Sequence, residues 1–324
     1  MPPWRDMEKL TISAEIEHII LENGWLDQVD NVSFLAAGEY NENHLVVSGG
    51  IKYLFRINHG SQINQADQIR YEYNVLKAVE PSGVTPSAFF VASSSPLGGV
   101  MLMEFIPGRP FDFARDLNLV PPIFAAIHSL PVSETLVVQD TPILDIADES
   151  FQLLDKFPDH PMAEQKQRLL NYHEQVVQLN QEHGALFDNE SLCMVNTEVN
   201  SGNFIIQENQ GFLVDWEKAV VSYRYQDLAH FLIPTTTLWK SDFRFTPKQR
   251  IDFLREYYRL VSPDFSFDQL EFKTAILERT ILLRALSWCF MAYVEYTAPG
   301  RVLKDRVTFD KIKTYLGNLE CFLN

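Results

Sequence analysis

Apolar residues along this chain change their period near residue 110. Before that point they run in short alternating stretches, as half-buried strands require; after it they recur every three to four residues, as helices require. The first stretches, "VSFLAA", "HLVVS" and "IKYLFRI", are joined by the polar loop "GEYNEN" (38–43) and by the Gly49-Gly50 pair, and read as an antiparallel meander. A helix is predicted ahead of them over "SAEIEHIILENG", with Ser13 as cap and Gly24 as stop. Another is predicted from about Asn64 to Val79, where Ile69, Tyr73, Leu76 and Val79 share a face and "EPSG" ends the pattern. Two further strands, "AFFVAS" and "VMLMEF", flank the turn-forming "SPLGG".

The segment "IPGRP" interrupts this pattern, and the chain beyond it is helical: "PPIFAAIHSL", a region around 146–183, "QDLAHFLI", "KQRIDFLREYYRLV", a long run from Gln269 to Tyr296, and "DKIKTYLGNLECFL". Strand character returns only around 192–215. The predicted architecture is α+β and bilobal, a small antiparallel β-sheet N-lobe (1–105) and a larger, mainly helical C-lobe (106–324), with a hinge at about 104–110. The chain's 324 residues suffice for two cores of ordinary size.

Composition adds exclusions. Hydrophobic residues make up 46% and charged residues 22%, a globular profile. A net charge of -16 repels a phosphate backbone, so nucleic acid is not an expected partner, whereas a cationic small molecule would be attracted. The three cysteines, Cys193, Cys289 and Cys321, lack C-x-x-C spacing and read as buried thiols. Charges in "MPPWRDMEKL" argue against a signal peptide, and Arg284 interrupts the most apolar late stretch, so no membrane span is expected and the location reads as cytoplasmic. Nothing in the sequence specifies an oligomeric state.

The candidate chemistry gathers around "VNTEVNSGNF". Glu198 precedes Asn203 by five residues, and Asp215 ends the next strand. Phosphoryl transfer needs such a set: one carboxylate to accept the proton of the attacking hydroxyl, then an amide oxygen and a second carboxylate to hold Mg²⁺. Upstream, Arg56 ends the third strand and Glu72 lies on the helix after it, so the cation can steady nucleotide phosphates while the acid steadies the cation. In the loop after the first strand, Gly38 with the amides and side chains of Asn41 and Asn43 can meet phosphate oxygens, although the loop is not a G-x-G-x-x-G sequence. Main-chain groups of Glu104 and its neighbours are placed to receive a purine base. Asp227, at the head of a helix, reads as a cap or loop brace; His128 reads as a packed histidine, and Glu217 faces either solvent or a second metal.

Through "AAGEYNENHLV", "YLFRIN", "YEYNVLKAV", "LMEFIPG", "AAIHSLP", "NTEVNSGNFII", "LVDWEKA" and "YQDLAHFL", in that order from about residue 31 to 233, the chain resembles the aminoglycoside phosphotransferase and choline kinase-like small-molecule kinases. The resemblance implies a protein-kinase-like fold, ATP or another NTP with Mg²⁺, and a small hydroxylated substrate, cationic or neutral. It implies Glu198 as base, Asn203 and Asp215 as metal ligands, and Arg56 with Glu72 as the phosphate-side ion pair. It also places the acceptor against the C-terminal helices, where Trp239, Trp288, Tyr293, Tyr296 and Glu295 could form an aromatic, acidic cradle. The chain departs from the family at three points: Asn196 stands where the family has His, Glu198 where it has Asp, and Arg56 where it has Lys. Glu and Asp are similar bases, with ordinary pKa values of about 4.3 and 3.9. The extra methylene moves the carboxylate by about 1 Å, a displacement that can cost about 10²-fold in rate unless the loop is fitted to it. Asn196 can brace that loop by a hydrogen bond. A catalytically silent nucleotide-binding pseudokinase is the alternative these departures leave open, and a metal-dependent hydrolase is a third.

Overall fold

A computed structural model describes residues 3–38, 40–61, 63–188, 190–261, 264–298 and 306–323, with side chains from Thr11 onward; Glu39 of the predicted phosphate loop lies outside the described residues. The described chain divides into two compact units, one made of 1–109, 133–136 and 205–219, the other of 110–132, 137–204 and 220–324.

The first unit is built on a five-stranded antiparallel sheet ordered β1-β2-β3-β5-β4, from β1 (Asn31–Ala37), β2 (Asn41–Ser48), β3 (Ile51–Asn58), β4 (Ala88–Ala92) and β5 (Gly99–Glu104). Helix α1 (Pro3–Glu22) lays Ile16, Ile19 and Ile20 against Val46, Phe55, Ile57, Val100 and Leu102. Each isoleucine so buried stabilises the unit by roughly 1.5–3 kcal/mol. The helix begins ten residues before Ser13, which lies inside it; a proline at the first helical position followed by good helix formers needs no serine cap.

Helix α2 (Gln68–Val79) starts later than predicted. Asp67 caps it by accepting the Arg70 amide at 3.2 Å, and Asn64 has left-handed backbone (φ 55°), which an L-residue helix cannot continue. The loop after β1 is likewise shorter than predicted. Asn41 and Asn43 belong to β2, because both pair with β3 at Asn58 and Arg56 and so continue the ladder almost to Gly38. Beyond β5, Gly108 has a structural reason: a Cβ there would lie 2.5 Å from Ile205 Cγ2 and 2.7 Å from the Ile206 carbonyl oxygen.

The second unit is helical: α3 (Phe113–Asp116), α4 (Val120–His128), α5 (Pro142–Asp155), α6 (Ala163–His183), α7 (Tyr225–Leu232), α8 (Pro234–Thr237), α9 (Pro247–Val261), α10 (Phe267–Thr297), α11 (Arg306–Gly317) and α12 (Glu320–Leu323). Of these, α10 is the axis, packed by α5, α6, α7 and α11. Its start is fixed by a reciprocal capping box between Ser266 and Gln269. Phe124, Phe204 and Phe231 meet with ring centroids 5.7–6.2 Å apart and anchor the residue after Asn203. A two-stranded antiparallel ribbon, Cys193–Val195 with Val220–Ser222, leads directly into Asn196. Cys193 and Cys289 are buried as expected. Cys321 is exposed, because the last short helix offers no second layer to cover it. Among the described residues no helix is long and apolar enough to cross a membrane.

Candidate active site

In the first unit the sequence-predicted charges meet. Asn43 and Arg56 are direct partners across the β2–β3 ladder, which points both side chains to the same face. The Arg56 guanidinium donates from Nε to Asn43 Oδ1 (3.0 Å), and from one terminal nitrogen to Glu72 and to Asp215 Oδ1 (3.1 Å). Glu72 is 1% exposed, so its charge is tolerable only beside this cation. Burial opposes the Arg56 charge, but Glu72 and Asp215, with Glu217 beyond them, outweigh it and hold the guanidinium above its ordinary value. Burial pushes the Glu72 carboxyl up, with Arg56 pulling against it.

Helix α2 also positions the segment carrying Asp215. Gln68 Nε2 donates to the Glu217 carbonyl (2.7 Å), Tyr71 OH donates to the Ala219 carbonyl (2.6 Å), and buried Trp216 donates its indole N–H to the Leu213 carbonyl (3.0 Å). Asn41 donates to the Glu217 carboxylate and accepts from Asn58 (2.9 Å). Asn41 and Asn43 therefore brace acidic and basic groups from a strand, where the sequence had suggested loop contacts to phosphate. Carboxylate oxygens of Asp215 and Glu217 come within 4.8 Å of each other. With Arg56 balanced by Glu72, these two leave a doubly negative, all-oxygen donor pair, which suits a hard divalent ion such as Mg²⁺. Gly38 donates its amide to the Asn41 carbonyl (2.8 Å) and so closes the short turn. At Glu104 the amide is taken by the Ser87 carbonyl (2.8 Å) and the carboxylate accepts the Ser87 amide (3.0 Å), so its N–H is not available to a base.

The second unit holds the loop of Asn196, Glu198 and Asn203. Asp227, 0% exposed at the head of α7, accepts the amides of Asn196 (2.9 Å) and Thr197 (2.8 Å). Arg284 of α10 donates to the Thr197 carbonyl (2.9 Å). Thr197 is thus gripped on both sides, and it needs to be: its φ of 66° is a left-handed conformation that a β-branched residue resists. Asn196 braces the loop as an acceptor, its Oδ1 taking the Glu198 amide at 3.0 Å. Asn203 donates Nδ2 to the Glu198 carbonyl (2.8 Å), a bond that leaves its amide oxygen uncommitted to it. Behind Asp227, His128 contacts it through Nε2 (3.2 Å) and Tyr257 OH through Nδ1 (2.8 Å). Burial depresses the His128 pKa against the pull of Asp227, which favours the neutral ring; a neutral ring with its proton on Nε2 satisfies both contacts, donating to Asp227 and accepting from the tyrosine hydroxyl.

Arg284 and Tyr257 were missed by the sequence reading. Their signal was a lone buried-type cation on an apolar helix and a tyrosine on the apolar face of α9. The residues of the predicted acceptor cradle fall into two groups of ring contacts. Trp239 and Trp288 form one pair (5.8 Å) joined by Tyr315, whereas Tyr293 and Tyr296 surround Phe309, and Glu295 is paired with Lys156 at 2.7 Å. Tyr296 stacks on Phe309 of α11, a partner the sequence could not reveal.

An antiparallel sheet carrying a strand cation and a helix acid, with a helical unit carrying a clamped acid-amide loop, defines the class of kinase-like phosphotransferases. The model of the phosphotransferase enzyme family matches residues 31–270, and the chain belongs to that family. Among solved structures, the fold is similar to an ethanolamine kinase of Plasmodium vivax (TM-score 0.66, 13% identity, covering 95% of this chain and 88% of that one). It is similar to a choline kinase of Cryptosporidium parvum (TM-score 0.63, 15% identity, 94% of each chain). It is also similar to a thermostable mutant of the aminoglycoside phosphotransferase APH(4)-Ia in ternary complex with AMP-PNP and hygromycin B (TM-score 0.63, 14% identity, 95% of this chain and 98% of that one). A sequence search of the curated proteins found no significant match.

Proposed function

We propose that this phosphotransferase moves the γ-phosphoryl group of ATP to a hydroxyl of a small molecule in the presence of Mg²⁺. The observation that carries the reading is the ion cluster of buried Arg56 and Glu72 with half-buried Asp215, with Arg in the part that lysine has elsewhere in the family. The solved relatives named above act on an amino alcohol or bind an aminoglycoside, which supports a hydroxylated and cationic acceptor, as does the net charge of -16.

Asn203 and Asp215, with Glu217 beside Asp215, are the residues that would hold Mg²⁺, which when bound spreads the charge of the phosphates and lowers the barrier to transfer. Arg56 binds phosphate oxygens and holds them in place. Glu198 accepts the proton of the acceptor hydroxyl, and the backbone that carries its side chain is held by hydrogen bonds to Asn196 and Asn203. Those bonds act on the backbone and not on the carboxylate, so the longer glutamate can reach its target without losing them.

A panel of amino alcohols, amino sugars and sugars incubated with ATP and Mg²⁺, read by mass spectrometry, is expected to yield one acceptor gaining a phosphate. Nucleotide binding with no phosphorylated product across the panel would favour the silent module. Phosphate released from ATP with no phosphorylated acceptor would favour a hydrolase.

A further inference from the structure

We propose that Asn43 is a positioning residue that sets the plane of the Arg56 guanidinium and so aims its remaining nitrogen at a nucleotide phosphate. The inference rests on the nucleotide-dependent reading above and deepens it. A lysine presents three donors from one rotating point and needs no such guide; a guanidinium is a flat fork whose free edge is useful only if its plane is fixed. Here two of its three nitrogens are committed. Nε donates to Asn43 Oδ1 at 3.0 Å, and one terminal nitrogen serves both Glu72 and Asp215. The other terminal nitrogen makes no hydrogen bond among the described residues.

Glu72 and Asp215 bind the same nitrogen, and two bonds to one atom leave the fork free to swing about it. The Nε bond removes that freedom, because Nε is a second fixed point in the guanidinium plane, on a different arm of the fork from the anchored terminal nitrogen. Asn43 can serve because the β2–β3 register sets it directly opposite Arg56, and it adds no charge to repel a phosphate. Arg56 is buried, so water does not compete strongly for the bond. The exchange of lysine for arginine and the presence of an asparagine across the ladder are, on this view, one device.

The test is a double-mutant cycle of Asn43→Leu and Arg56→Lys, read by titrating the full chain with ADP and Mg²⁺ and, separately, with adenosine. Asn43→Leu alone is expected to weaken ADP about tenfold and to leave adenosine unchanged, as befits a lost bond to a charged group that acts only on phosphate. On the Arg56→Lys background, where no Nε exists, the same substitution is expected to change ADP binding less than about twofold. Equal weakening of ADP and adenosine would reduce Asn43 to a structural residue, and an undiminished tenfold loss on the lysine background would overturn the proposal. Wild-type protein that binds adenosine and ADP alike would instead overturn the nucleotide reading itself.

Discussion

The two units stabilise their functional residues by opposite means. In the first, charge holds charge: Arg56 is kept in place by Glu72 and Asp215, and burial makes each partner depend on the other. In the second, a single carboxylate holds backbone: Asp227 takes two consecutive amides and Arg284 takes the carbonyl of the second residue, which keeps Thr197 in a conformation it would not choose. Among the described residues four non-glycines have positive φ, and Thr197 and Asp215 are two of them, so strain falls beside the proposed base in one unit and on the proposed metal ligand in the other. A charge cluster should respond to changes of side-chain charge, and a clamp to changes of hydrogen-bond count.

Glu198→Gln gives the largest expected effect, a fall of about 10³-fold in kcat measured on the acceptor found by mass spectrometry, with ADP affinity unchanged. Glu198→Asp, which restores the family's residue, is expected to cost about 10²-fold, because this loop is fitted to the longer side chain. Next comes Asp227→Ala, which strips partners from two buried amides and from His128; denaturant unfolding should record a loss of about 3–5 kcal/mol. Arg284→Met removes one clamp bond and keeps the packing, for about 1.5–3 kcal/mol by the same measurement. If Arg284→Met left both stability and kcat untouched, the clamp would be reduced to Asp227 alone.

The smallest effect is a pH dependence. His128 has a folded pKa depressed by burial and an unfolded value near about 6.5, so the unfolded chain binds the extra proton first as pH falls. Its contribution is complete above about pH 6.5 and declines below it, by up to about 1.4 kcal/mol per pH unit until the folded value is reached. His160, also depressed by burial, acts in the same direction. Unfolding curves at several pH values, compared between the wild type and His128→Gln, should show a shallower decline in the variant.

Much of this was legible in the sequence because it is local. Alternation gave the five strands, and the spacing of Glu198, Asn203 and Asp215 lies within a single hairpin and its approach. What was not legible depends on register or on distant partners. Asn41 and Asn43 sit among glycine and other polar residues and look like loop, yet pairing with Asn58 and Arg56 makes them strand. Asp227 could be read as a brace, but not that His128 stands behind it from 99 residues away. Arg284 registered only as a charge interrupting an apolar run, since helical periodicity says which face a residue occupies and not which carbonyl awaits it.

The central claim is that Asp215 joins the ion cluster to a metal-bound nucleotide, and thermal unfolding with ATP, with and without Mg²⁺, tests it most directly. At ATP about a hundredfold above its Kd, the wild type should gain about 4 °C only when Mg²⁺ is present. Asp215→Ala should lose that gain; an equal Mg²⁺-dependent gain in the variant would contradict the account.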